Sequence, residues 1–381
     1  MFTIRRALLG GFAALPLGSA FPALAGGRVD AAAAEAVLDA VFAEAAPPAL
    51  AAGIVTRDGL GWAGVRGVRR AGSDEAATLD DRWHLGSNTK AMTAAVFGRL
   101  VDQGRARWAM PVTEALPGLT IHPAWTGTTL DDLMHHRAGL LDGPLLDQAW
   151  LIAAYGDPQP LPEQRAAFAA RALAMPPSGP VGAFAYGNAN YIVLGAAIEA
   201  LTGAAWEAVM ATELFAPLGL ASAGFGAPRG EAPWGHRGGV AVDPEGFADN
   251  PRALGPAGTA HMSLADYARF IAAMMGGGPD WLSEATRRHL LTPAAGDPPA
   301  YAAGWAIDSA SWASMGASVG AGTAGPGPII THDGSNSMWY ATVLAAPERG
   351  LGFIALSNDG AAGQQACTAV VERLAEVRVG A

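Results

Sequence analysis

Apolar positions recur at helical spacing through residues 31–45, where Val37, Leu38, Val41 and Phe42 share one face of an alanine-rich stretch. Pro47-Pro48 ends that pattern. Residues 50–56 and 61–69 read as two strands around an Asp58-Gly59 turn. After a polar loop at 71–81, helical patterns return over 88–103, closed by Gly104, and then over 130–136, 163–174, 190–201 and 204–215. A further helix is predicted at 263–275, with Ser263 as its N-cap. Residues 141–162 and 221–257 are rich in glycine and proline and read as long loops. Beyond Gly304 the pattern turns to strands at 329–332, 338–345 and 352–357, before a last helix at 363–377. This order predicts an α/β fold of the α+β kind. An antiparallel sheet is drawn from both chain ends and flanked by helices, and a mostly helical lobe is inserted between them. The boundaries implied are an α/β lobe at about 30–86 plus 255–381 and a helical lobe at about 87–254.

Composition sharpens this picture in three ways. With 381 residues, 51% of them hydrophobic, the chain exceeds what one core holds, so two lobes are expected. A net charge of −10 argues against a nucleic-acid partner, and a single cysteine, Cys367, excludes an internal disulfide and any cysteine-based zinc cluster. The start of the chain carries Arg5-Arg6, an apolar run from Ala7 to Leu17, and Ala23-Leu24-Ala25 as an A-x-A cleavage site. Residues 1–25 therefore read as a signal peptide, with a twin-arginine flavour, and an exported, periplasmic or secreted protein is expected. No later apolar run is long enough to span a membrane. The oligomeric state is not encoded in any of these features.

One residue count bears directly on chemistry. Lysine and arginine together number 24, and the one lysine is Lys90. Arginine keeps its proton at any usable pH, whereas an enclosed lysine can lose it. A site that needs a neutral amine as a base cannot use arginine. Lys90 lies in Ser87-Asn88-Thr89-Lys90, an S-x-x-K pattern at a helix start. Residues three apart share a helix face, so the amine reaches the Ser87 hydroxyl, a weak nucleophile that needs such a neighbour. Tyr186-Gly187-Asn188 follows, in a turn before a helix. A phenol beside Lys⁺ is expected to ionise more easily and to relay protons, while the Asn188 amide holds Lys90 and binds a substrate amide. Taken alone, these two also describe a core tyrosine and a turn asparagine. His332-Asp333-Gly334-Ser335 comes at the end of a predicted strand. Gly334 permits close approach of a substrate backbone, and the Ser335 and Ser87 N–H groups form a candidate oxyanion hole.

These three elements, in this order and at these separations, resemble the penicillin-recognising serine hydrolases: class C β-lactamases, D-alanyl-D-alanine carboxypeptidases and family VIII esterases. The stretch from Leu133 to Leu140 resembles that group's LLTHTSGL segment. Pro176-Pro177, Tyr191, Leu194-Gly195, Glu199, Thr202-Gly203, Trp206 and Pro217-Leu218-Gly219 match a second block, and Gly304-Trp305 a third. The similarity runs from about residue 35 to 375. It implies a β-lactamase/transpeptidase-like fold, acylation of Ser87, general-base work shared by Lys90 and Tyr186, and substrate contacts from Asn188, His332, Gly334 and Ser335. It implies no metal and no organic cofactor, and small esters, amides or peptides as partners. His332 departs from the lysine that many members carry. An imidazole is only partly charged near neutral pH, which weakens the case for strong β-lactamase activity.

Other readings rank lower. Gly316-Ala317-Ser318-Val319-Gly320 matches the nucleophile elbow of α/β-hydrolases, but no acid lies between Ser318 and His332 and no histidine follows His332. His135 and His136 are adjacent, so on a helix they diverge, and no H-E-x-x-H is present. A penicillin-binding or sensor protein, acylated with little turnover, stays open.

Overall fold

The computed structural model describes residues 30–296, 300–308 and 329–380. The predicted signal peptide and the Ser318 elbow lie outside the described residues. The strands in chain order are β1 (Ala49–Thr56), β2 (Gly59–Gly67), β3 (Arg82–His84), β4 (Gly224–Phe225), β5 (Gly235–Arg237), β6 (Val240–Val242), β7 (Ala260–Ser263), β8 (Tyr301–Ala302), β9 (Trp305–Asp308), β10 (Ile329–Ser335), β11 (Tyr340–Ala346) and β12 (Leu351–Ser357). Seven of them form one sheet in the order β2-β1-β12-β11-β10-β9-β8, antiparallel throughout. The sheet is thus assembled from both chain ends, as the pattern predicts.

Strand β1 shows why the centre of the sheet reads as a nearly continuous apolar run. Successive side chains alternate between faces. Ala49, Ala51 and Val55 join the larger core, while Leu50, Ala52 and Ile54 join a second one. That second core is closed by helix α1 (Ala31–Ala45) through Leu38 and Val41, and by the C-terminal helix (Ala362–Gly380) through Val370 and Leu374. Both faces are covered, so neither carries a polar stripe.

Helix α2 (Thr89–Asp102) follows a 3-10 turn at Gly86–Asn88 and buries eleven of its residues, among them Lys90, Phe97 and Leu100. Burial on all sides marks a helix in the middle of a domain. Between β3 and β7 the chain is mainly helical. Helix α3 (Asp142–Leu145) and helix α4 (Gln148–Gly156) occupy part of the segment expected to be loop. Asp147 accepts from the Trp150 N–H and so caps α4, a local signal that the glycine and proline content of the region hides. Helix α5 (Leu161–Leu173) and helix α6 (Asn188–Thr202) come next, then a helix at Trp206–Met210 that widens into a π-turn over Ala211–Phe215. In the other expected loop, β5 and β6 form a hairpin. Ser263 caps the helix at Leu264–Met274 through the Asp266 N–H, as predicted. Strand β10 runs past His332, because Asp333 and Gly334 still pair with Thr342 and Ala341 of β11.

An enclosed ion cluster ties the helices together. Arg165 of α5 has no exposed surface; it reaches Glu199 of α6 and Glu207 of the following helix, at 2.8 Å for the latter. Glu199 also accepts the Trp206 N–H at 2.9 Å. Replacing one member strands the other charges in the interior, which costs far more than the intact cluster contributes. Arg165→Met is expected to lower unfolding stability by about 3–5 kcal/mol, read as a fall in the urea midpoint, while Arg288→Met, on an exposed helix pair, shifts it little.

Candidate active site

The turn that carries Ser87 is built by backbone contacts that only glycine allows. Gly86 has φ +51°, and a methyl group there would meet the Ser335 nitrogen at 2.3 Å. Across the gap, a methyl on Gly334 would lie 1.9 Å from the Leu85 carbonyl and 3.0 Å from the Ser87 nitrogen. The Ser87 turn and the end of β10 are therefore in backbone contact. The sequence-predicted oxyanion pair, the Ser87 and Ser335 nitrogens, comes from these two facing segments. The Ser335 hydroxyl itself is occupied, donating to the Trp339 carbonyl at 2.7 Å and accepting the Ser337 N–H. The turn is held from below as well. Thr89 Oγ1 donates to the Gly86 carbonyl at 2.7 Å, and His84 Nδ1 accepts the Gly86 N–H.

Lys90 lies one helical turn on and is completely buried, whereas Ser87 keeps some exposure. Its Nζ is 3.0 Å from Ser87 Oγ, 2.8 Å from Asn188 Oδ1 and 2.7 Å from the Ala257 carbonyl. Enclosure lowers the ammonium from its ordinary value to about 7, against an opposing pull from the Asp142 carboxylate. A neutral amine has two hydrogens and one lone pair. Here two carbonyl-type oxygens accept the hydrogens, and the lone pair is left for the Ser87 O–H.

Tyr186 reaches the same serine: its hydroxyl and Ser87 share a hydrogen bond, and Lys90 Nζ stands 4.9 Å from the centre of its ring. The expectation of an easily ionised phenol is not met. Enclosure by protein pushes this phenol well above its usual range, more than its hydrogen bond with Ser87 lowers it. At neutral pH Tyr186 is a neutral O–H group. Asn188 touches Lys90 as the sequence suggests, but its Nδ2 also donates to Asp142 Oδ2 at 3.0 Å, so only one amide hydrogen is left for a substrate.

His332 differs most from expectation. It is buried, and enclosure, reinforced by Lys90, lowers its imidazolium to about 3. The Asp333 carbonyl, 2.7 Å from Nδ1, can only accept, so Nδ1 carries the hydrogen and Nε2 accepts from the Tyr301 hydroxyl at 3.0 Å. The ring is neutral at neutral pH, not partly charged.

Three participants escape sequence reasoning. Tyr301 and Ala257 arrive from distant parts of the chain. Asp142 stands just after the Leu133 to Leu140 segment, in a stretch whose composition signals loop. His136 carried a visible motif but no role. It adopts φ +55°, uses Nδ1 to accept the Gly187 N–H at 3.3 Å, and packs its ring 4.4 Å from that of Tyr186. His135 turns away to the Asp131 carbonyl.

A family model described as Beta-lactamase matches residues 34–375. The chain belongs to the beta-lactamase family. It is 28% identical over 316 residues to penicillin-binding protein 4 of Amycolatopsis lactamdurans, an alignment covering 78% of this chain and 77% of that one. It is 26% identical to the unguisins hydrolase ungD' of Aspergillus campestris over 79% of its own length but only 57% of that longer protein. Among solved structures, a D-stereospecific amidohydrolase from Streptomyces sp. superposes with a TM-score of 0.66 at 23% identity, covering 90% of this chain and 98% of that chain. The beta-lactamase/transpeptidase-like fold and family are thus as the sequence motifs imply.

The glycine contacts make a direct prediction. Gly334→Ala is expected to lower turnover of p-nitrophenyl butyrate by about a hundredfold by displacing the Ser87 turn. Gly118→Ala, where the added methyl meets nothing, leaves it unchanged.

Proposed function

We propose that the protein is a serine hydrolase that forms an acyl-enzyme on Ser87 and acts on small esters and on amides or peptides of D-amino acids, with weaker action on β-lactams. The observation that carries this reading is the contact of Ser87 with a fully enclosed Lys90 whose two hydrogens are already taken by carbonyl oxygens. Lys90 takes the Ser87 proton as Oγ bonds to the substrate carbonyl carbon. The Ser87 and Ser335 N–H groups receive the oxyanion. Tyr186, a neutral hydroxyl on the same serine, passes a proton from Lys90 to the leaving group. In the second half, water gives a proton through Tyr186 to Lys90 as its oxygen bonds to the acyl carbon, and Lys90 returns that proton to Ser87 Oγ as the bond from Oγ to the acyl carbon breaks. The similarity to a penicillin-binding protein, an unguisins hydrolase and an amidohydrolase fold supports acyl chemistry on amides.

The neutral state of His332 supports the substrate ranking. A substrate carboxylate finds no fixed cation at this position, so uncharged esters and amides are preferred over β-lactams, whose carboxylate needs a counter-charge.

The test offers the protein p-nitrophenyl butyrate, nitrocefin and a D-alanyl-D-alanine peptide in parallel, with intact-mass spectrometry on the same samples. Ester turnover well above nitrocefin turnover is expected, with a transient acyl adduct absent from Ser87→Ala. Fast nitrocefin hydrolysis overturns the substrate ranking, and a stable adduct without turnover assigns the protein to the penicillin-binding class. Lys90→Arg keeps the charge but loses the base, and is expected to cost at least about a thousandfold in acylation. Because the working amine must be unprotonated, kcat/KM is expected to rise as pH climbs through about 7 and to fall roughly tenfold per unit below it.

A further inference from the structure

Asp142 lies in α3, two positions beyond the Leu133 to Leu140 segment, and its carboxylate accepts three hydrogen bonds from the start of α6. Oδ2 accepts from the Asn188 N–H at 2.9 Å and from Asn188 Nδ2 at 3.0 Å, and Oδ1 accepts from the Ala189 N–H at 2.9 Å. Helix α6 has no capping side chain of its own at Gly187. A carboxylate from another element therefore serves as its cap, where the helix dipole also favours negative charge. The side-chain bond has a further consequence. An asparagine amide can turn over, exchanging its oxygen for its nitrogen with little change in shape. A carboxylate can only accept, so it holds the Nδ2 end and thereby leaves Oδ1 pointing at Lys90, 2.8 Å away. If the amide turned over, an N–H₂ group would face the amine and compete for its lone pair.

We propose that Asp142 is a positioning residue of the acylation site: it fixes the orientation of the Asn188 amide, and through it the direction of the Lys90 lone pair, while its own charge is the carboxylate counterpart of Lys90. This rests on the reading of Lys90 as the base for Ser87. The groups facing Lys90 are Ser87 from its own turn, Tyr186 from the segment before α6, Asn188 from the start of α6, Tyr191 within α6, the Ala257 carbonyl, His136 and His332. Both histidines are held neutral by enclosure, and the tyrosines are held as phenols. Asp142 is the acidic group whose charge supports the ammonium form, so its removal lowers the pH at which Lys90 titrates.

The test uses the fact that Lys90 is the only lysine in the chain. Protein grown on ¹³C-lysine gives one Cε resonance, whose pH titration reports Lys90 directly and without any substrate. Asp142→Asn keeps the shape but offers one accepting oxygen where the carboxylate offers two, so α6 keeps one of its two backbone bonds to this side chain, and an amide that can accept or donate no longer dictates how Asn188 turns. The Cε titration and the acid limb of kcat/KM are expected to move together to lower pH, while plateau kcat falls about tenfold or more and KM changes less. Asp142→Glu, which restores the charge, is expected to bring the titration back toward wild type. A purely structural cap would lower the active fraction without moving the Cε titration. An Asp142→Asn protein whose titration and plateau kcat both match wild type overturns the proposal. Ser87→Ala is measured beside it: full activity there overturns the underlying serine-hydrolase reading, whatever the lysine resonance does.

Discussion

The burial of Lys90 organises much of this molecule, because a buried amine takes its hydrogen-bond partners from the protein. Thr89 to Gly98 of helix α2 are all buried, so Lys90 has no exposed surface and its charged form is disfavoured. The partners come from three separate places: Ser87 one turn back, the Asn188 amide at the start of α6, and the Ala257 carbonyl just before β7. Each is held in turn. The Ser87 turn is fixed by Thr89 and by contact with β10, Asn188 by Asp142, and the Pro256 carbonyl beside Ala257 by the Thr93 hydroxyl. The arrangement costs solvation of one charge and yields a base near neutrality, which is the balance that proton transfer at ordinary pH requires.

Close backbone approach is the second constraint. Sheet edges and turns normally keep side chains between them, yet the Ser87 turn and β10 meet without any. That contact needs glycine on both sides, Gly86 and Gly334, and it brings the Ser87 and Ser335 nitrogens to neighbouring positions. The sheet contributes rigidity here, because β10 is paired on both edges, with β9 and with β11. The ion cluster of Arg165, Glu199 and Glu207 does the corresponding work for α6, whose first residue is Asn188.

The side of the site that Tyr186 brings to Ser87 is aromatic and uncharged. Tyr186, His136, Tyr301 and His332 pack as a group, with ring centres between 4.4 and 6.2 Å apart. In such surroundings an imidazole keeps its hydrogen bonds and gives up its charge, which is why His332 behaves as a neutral partner of Tyr301 rather than as a cation.

Local patterns were enough to establish the antiparallel sheet drawn from both chain ends, most of its flanking helices, and the S-x-x-K turn. Periodicity, caps such as Ser263 and turn residues all act within a few positions. The lone lysine was equally legible, since against an otherwise all-arginine background it marks a position where a removable proton matters. The helix at 142–145 was hidden by glycine and proline, and α4, apolar along most of its length and fully burying none of its residues, shows no contrast between an apolar and a polar face for the pattern to reveal. The ionisation of Tyr186 and His332 and the contacts of Asp142 were decided by tertiary structure alone. A side chain's charge state depends on how much water and which neighbours surround it. The neighbours that matter here, Asp142 for Asn188, Tyr301 for His332 and Ala257 for Lys90, lie 46, 31 and 167 positions away along the chain.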